Sequence, residues 1–189
     1  KRQVYEEKNM SLTRDNSKVQ EAIFSSLFPK HPYGTQTVLG TQENLKNPSI
    51  TNIKNYYKQW YVPNNMAICM SGDLDPDATI ALIDKYFGGL KPNPELPKLD
   101  LPKEAPITQP VVKEVLGPDA ESVALAWRFP GVSDKDFEIL QVVSQVLYNG
   151  KAGLIDLDLN QQQKVLNSYG YPMGLADYSA LLLGGLPKQ

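Results

Sequence analysis

A single imidazole, His31, bounds the chemistry that this 189-residue chain can perform with its own side chains. Hydrolytic zinc needs three protein ligands, an open position and usually a carboxylate to activate water, and one histidine leaves that set to be made from carboxylates alone. Nucleophilic triads of the Ser-His-Asp or Cys-His kind need the same ring as their base, so hydrolysis through a nucleophilic side chain is disfavoured. His31 stands within Pro29-Lys30-His31-Pro32-Tyr33-Gly34 and reads as a loop or packing residue. Cys69 lies inside the apolar run Met66 to Met70 and reads as a buried structural thiol. It has no partner for an internal disulfide, which leaves the redox compartment open. Asp73, Asp75 and Asp77 alternate as a calcium loop would, but its sixth position is Ala78 and its twelfth Asp84, where glycine and glutamate are required. Asp75 as helix cap with Pro76 at the first helical position accounts for the same pattern. Asn149-Gly150-Lys151-Ala152-Gly153 lacks the spacing and the Lys-Ser/Thr ending of a phosphate loop.

The elements that would carry these residues fall into two lobes. In the first, Val19 to Leu27 has helical periodicity, Ser49 or Thr51 can cap a helix bearing Ile53, Tyr56, Tyr57 and Trp60 on one face, and Pro63 stops it. Met66 to Ser71 predicts a buried strand, and Ile80, Ile83, Tyr86 and Phe87 form the stripe of a helix closed by Gly88-Gly89. From Gly88 to Pro110 six prolines in a poorly periodic stretch predict a semi-rigid linker. In the second lobe, Val111 to Leu116 and Ser122 to Phe129 predict a hairpin-like pair around Gly117-Pro118-Asp119-Ala120. Ser133 with Asp136 predicts a capped helix running to about Tyr148, its inward stripe formed by Ile139, Leu140, Val143, Val146 and Leu147. A short helix over 154–163 and strands over 165–171 and 178–183 follow. The irregular alternation predicts an α+β fold, with mixed or antiparallel sheets backed by helices.

Composition narrows the partners. Hydrophobic residues make up 41% and charged residues 21%, ordinary for a folded domain, while a net charge of -2 gives no footprint for nucleic acid. The longest apolar runs, such as Ala180-Leu181-Leu182-Leu183, fall far short of a membrane span. The N-terminal Lys1-Arg2-Gln3-Val4-Tyr5-Glu6-Glu7 has neither an initiator methionine nor the apolar core of a signal peptide, and it reads as an excised segment. A signal peptide on the parent would make it periplasmic or secreted; the compartment is otherwise unassigned.

Tyr56-Tyr57-Lys58-Gln59-Trp60-Tyr61-Val62-Pro63-Asn64-Asn65-Met66, with the strand to Gly72-Asp73 after it, resembles the M16 zinc metallopeptidases, the group of insulinase, pitrilysin and the mitochondrial processing peptidases. His31-Pro32-Tyr33-Gly34 followed by Gly40-Thr41-Gln42-Glu43-Asn44-Leu45 is similar to a loop and acidic helix start of that family, and Phe87-Gly88 to the end of its first domain. The family's zinc motif, His-x-x-Glu-His, is absent from this chain. Its third ligand comes from a later helix reading Glu-Arg-x-Val-Val-x-Glu-Glu, which Lys1 to Glu7 resembles with one residue fewer. That resemblance implies Glu7 as the metal-ligand candidate, with Glu6 competing because the missing residue turns the helical phase by about 100°. No residue is assigned a catalytic role.

The resemblance implies a division into 1–88, the C-terminal part of a first M16-like domain, 89–110, the linker, and 111–189, the start of a second. It implies zinc in the full-length protein, with its site incomplete here. The expected partners are peptide or unfolded polypeptide substrate, the remaining M16 domains or a second M16-like subunit, and a further copy of the chain in a homo-oligomer. Two functions follow: a segment of a zinc endopeptidase that is inactive alone, or a non-catalytic subunit or peptide-binding module.

Overall fold

The computed structural model describes residues 2–188. Its elements are α1 (Arg2–Leu12), α2 (Asp15–Leu27), α3 (Pro32–Thr35), α4 (Gln42–Lys46), α5 (Ile50–Trp60), a 3-10 turn (Pro63–Asn65), α6 (Pro76–Phe87), β1 (Val123–Pro130), α7 (Lys135–Leu147), a π-helical turn (Asp156–Asn160), β2 (Val165–Gly174) and β3 (Tyr178–Pro187). Two compact units emerge from the packing: the described residues of Lys1–Tyr5 with Gly40–Leu101, and those of Glu6–Leu39 with Pro102–Gln189.

The second unit is built on a three-stranded antiparallel sheet in the order β1-β3-β2. The central strand β3 is a run of apolar residues because both of its faces are covered, and Ser179, Ala180, Leu181 and Leu182 are all buried. Ala180 and Leu182 share a face with their cross-strand partners Ala126, Arg128, Tyr171 and Met173, since alternate residues point the same way. That face packs on Leu27 and Phe28, with Ile23, Phe24, Tyr33 and Tyr178 around them. Phe28 is fully buried, which stabilises the fold by about 1.5–3 kcal/mol. The opposite face is covered by α7. A methyl group on Gly174 would strike Phe137, and one on Gly170 would press on the Tyr148 side chain, so glycine at both positions lets the helix lie close to β2. Pro130 and Pro172 sit on the two edge strands, where a missing backbone donor breaks no inner ladder.

The predicted pairing of 111–116 with 122–129 does not form. Val111 to Leu116 carries no ladder, and β1 pairs instead with β3, Ala126 opposite Leu182 and Trp127 opposite Leu181. That register places β1 against the most buried strand of the unit, a gain that a local hairpin cannot match. The cap of α7 is Asp134, whose carboxylate accepts from the Asp136 amide at 2.9 Å, rather than Ser133. Within α7, Leu140 and Ser144 are buried while Ile139, Val142, Val143 and Val146 are exposed, so the inward stripe is narrower than the apolar one.

The first unit is helical, and none of its described residues form a strand. Met66 to Met70 runs extended but unpaired and exposed, and the expectation of a buried strand there is not met. Cys69, expected to be buried, is exposed with it. Ser49 caps α5, accepting from the Asn52 amide, and Asp75 caps α6 with Pro76 at its first position. Gly88 closes α6 in right-handed geometry, so its value there is small size and not a left-handed backbone. Tyr56, Tyr57 and Tyr61 stack along α5 and the following turn without being buried, Tyr57 on Tyr61 at 4.7 Å and Tyr56 near Trp60 at 6.2 Å. The Pro63-Asn64-Asn65 turn is fastened within the unit by two hydrogen bonds between the Asn64 side chain and the Asn93 backbone.

Candidate functional site

Glu7, the metal-ligand candidate, lies on α1 and is exposed, as is Glu6. Their helix is held by Lys8, a buried lysine whose ammonium contacts Glu21 of α2 at 2.9 Å. Lysine is rarely buried without a partner, and this pair fixes the rotation of α1. At about 100° per residue, Glu7 falls on the flank of the buried face and Glu6 on the side opposite it. Glu6 also accepts from the Asn9 side chain at 3.4 Å. Among the described residues no group of three or more histidine, cysteine, aspartate or glutamate side chains is close enough to hold a metal ion. A zinc centre therefore does not fit these residues by themselves.

His31 is at the centre of a polar constellation in the second unit. Its ring is buried and caps α3, Nδ1 accepting from the Tyr33 amide at 3.2 Å. Nε2 has no hydrogen-bond partner and lies 3.5 Å from Asp177 Oδ2. The Tyr33 hydroxyl donates to the same carboxylate oxygen at 3.2 Å and accepts from the Asp177 amide at 3.3 Å. Glu104 accepts from the Lys30 and His31 amides, each at 2.7 Å, and its own amide donates to Tyr178 Oη at 2.8 Å. Arg128 reaches in from β1, donating to the carbonyls of Leu27 and Ala105, with its guanidinium 3.9 Å from Glu104 and over the Tyr178 ring at 5.5 Å. The aromatic rings of Tyr33 and Tyr178 stand edge-on to the imidazole at 4.2 and 5.3 Å. This knot holds the turn 28–34, residues 104–105 and the sheet together. It contains no exposed nucleophile, and its function in the fold is attachment.

Sequence reasoning placed His31 in a loop and missed Glu104, Arg128, Asp177 and Tyr178. Their only local trace was Glu104, a charged residue between Pro102 and Pro106 that a linker has no need to hold in place.

The glycine turn 149–153 does cradle an anion, but one of the chain's own. Asp156 Oδ2 accepts from the amides of Asn149, Gly150 and Gly153 at 3.0 to 3.1 Å, and Gly150 takes φ 78°, which a side chain would resist. Burial pushes this carboxyl up, and the donors from Asn149, Gly153, Asn160 and Gly150 outweigh it and leave it below the usual aspartate range. Asp75 is occupied as the cap of α6, and Asp77 lies in the first turn of that helix.

In the first unit a groove of about 540 Å³ is lined by Lys58, Gln59, Val62, Lys91 and Asn93, with Pro92 and Pro94 on its rim. It is shallow, and its lysines lie at the surface.

Comparison with known proteins supplies what the side chains leave open. The chain is 28% identical over 173 residues to the zinc protease PqqE of Helicobacter pylori, covering 88% of this chain and 38% of that protein. The crystal structure of a protease from Helicobacter pylori superposes with a TM-score of 0.80 at 25% identity, over 99% of this chain and 46% of that one. The first half of the periplasmic protease PqqL from Escherichia coli shares the fold, with a TM-score of 0.70 at 19% identity, over all of this chain and 42% of that one. The chain thus spans less than half the length of these relatives. A family model described as the peptidase M16 inactive domain matches residues 49–185, well over half of the sequence, and with the helix-backed antiparallel sheet and the His-Pro-Tyr-Gly loop in place the chain belongs to the M16 peptidase family.

Proposed function

We propose that this chain is a non-catalytic portion of an M16 zinc endopeptidase, which forms part of the wall around the peptide and contributes one metal ligand, Glu7, to a centre whose other ligands lie elsewhere in the parent protein. The observation that carries this reading is the superposition of 99% of the chain on less than half of a protease. In that parent, residues 1–88 close a first domain, 89–110 link it and 111–189 open a second. The substrate is peptide or unfolded polypeptide, bound by strand addition to a sheet edge and read mainly through its backbone. The remaining M16 domains, or a second M16-like subunit, pack on the exposed apolar faces of the first unit. A leader, if the parent carries one, would direct it to the periplasm or outside the cell.

The test is a paired assay. The 189-residue chain is expected to cleave no peptide and to retain less than one zinc per chain after desalting. The parent chain is expected to show chelator-sensitive cleavage, and Glu7→Gln in it to release the metal, with loss of zinc by elemental analysis as the readout. Cleavage by the short chain would overturn the reading, and full zinc retention by the Glu7→Gln parent would overturn the ligand assignment.

A second reading is favoured by the family model's description as an inactive domain. On it the parent is a non-catalytic subunit that binds peptides. Zinc-free parent that binds an unfolded peptide without cleaving it would select this reading.

A further inference from the structure

We propose that His31 is a proton-operated latch, which caps α3 when the ring is neutral and transfers its hold to Asp177 when the ring is charged. With Nδ1 accepting from the Tyr33 amide, the neutral ring must carry its proton on Nε2. That N–H is buried and 3.5 Å from Asp177 Oδ2, too far for a full hydrogen bond, and it has no hydrogen-bond partner. The ring is therefore committed on one side and unfulfilled on the other.

A proton taken up from solvent must sit on Nδ1, where it meets the Tyr33 N–H head on. Two donors cannot share one bond, so the α3 cap is lost. The same proton makes the ring a cation, and the Nε2–H attraction for Asp177 becomes a charge-assisted one. The ring then turns toward the carboxylate. Tyr33 Oη already bonds both the Asp177 carboxylate and the Asp177 amide, so the movement is felt at both ends of that contact.

The groups around the ring are set for such an exchange. Tyr33 and Tyr178 hold it edge-on from α3 and β3. Glu104 accepts the His31 and Lys30 amides and so keeps the backbone of residues 30 and 31 in place while the side chain shifts. Arg128 lies beside Glu104 at 3.9 Å and offsets its charge, which leaves Asp177 as the carboxylate the imidazolium is drawn to.

His31 is the chain's only histidine, and its ring signals are therefore unambiguous in a nuclear magnetic resonance titration of the whole chain. From pH 8 to 5 the amide signals of Tyr33 and Asp177 are expected to move with the same midpoint as the ring carbons. In His31→Asn, whose side chain caps without titrating, both amides are expected to stay fixed over that range. Should that variant fail to fold, the wild-type titration decides alone. Either amide standing still while the ring titrates, or a folded chain whose ring does not titrate between pH 8 and 5, overturns the latch.

Discussion

Gly34 occupies a position where a methyl group would overlap the carbonyl oxygens of both Phe24 and Phe28. The obstacle is backbone at the end of α2, which cannot rotate away. Gly34→Ala is expected to destabilise the second unit by about 1–3 kcal/mol, the usual cost of overpacking, and a urea melt followed by tyrosine fluorescence would measure it. Acid is expected to act through two other residues. Asp15 is held below the usual aspartate range by the Asp119 amide and then by Lys18, and Asp156 is depressed by its four donors despite its burial. A depressed carboxyl contributes stability that is complete above its unfolded value and is lost as pH falls through the folded one. Unfolding midpoints should therefore be level down to about pH 4 and drop below it, and Asp15→Asn with Asp156→Asn should flatten that drop. Sequence alone identified Gly150 as a turn residue, because glycine signals a turn locally, while Gly34, read with the turn before it, lies in the short helix α3. It did not identify Asp177 or Glu104 as partners of the His31 loop, because those contacts cross 144 and 73 residues and leave no periodicity behind.

At the scale of elements, what was legible was whatever the local chain decides. The caps at Ser49 and Asp75, the stop at Pro63 and the strands β2 and β3 each follow from residues within a few positions of the event. Pairing was not legible. Val111 to Leu116 is as rich in valine as a strand should be, but the partner of β1 is chosen by the burial available on β3. Burial was misjudged for a similar reason in the first unit, where apolar periodicity marks a face that would pack and does not say what covers it. Because α6 of that unit buries little, its cap carries more of its stability than usual. Asp75→Ala is expected to cost about 0.5–2 kcal/mol, read as faster amide exchange over residues 78–87 with the exchange of α7 unchanged.

For the whole molecule, the family and the α+β architecture were legible from the aromatic helix end, the Pro-Asn-Asn turn and the His-Pro-Tyr-Gly loop. The metal centre was not, since a solitary glutamate on an exposed helix face specifies no geometry. The first unit leaves Ile53, Tyr56 and Tyr57 of α5, Met66, Ile68 and Met70 of the extended segment and Ile80, Tyr86 and Phe87 of α6 uncovered. In the second, β1 presents an open edge together with Leu125 and Trp127. Exposed apolar surface on each unit promotes association. That surface also carries a thermal signature. Contact driven by apolar hydration weakens on cooling, gains strength in sulfate and lowers the heat capacity when it forms. Sedimentation at matched concentrations should find larger species at 30 °C than at 4 °C and little response to sodium chloride. A chain that dissociates on warming would instead be held together by its charges.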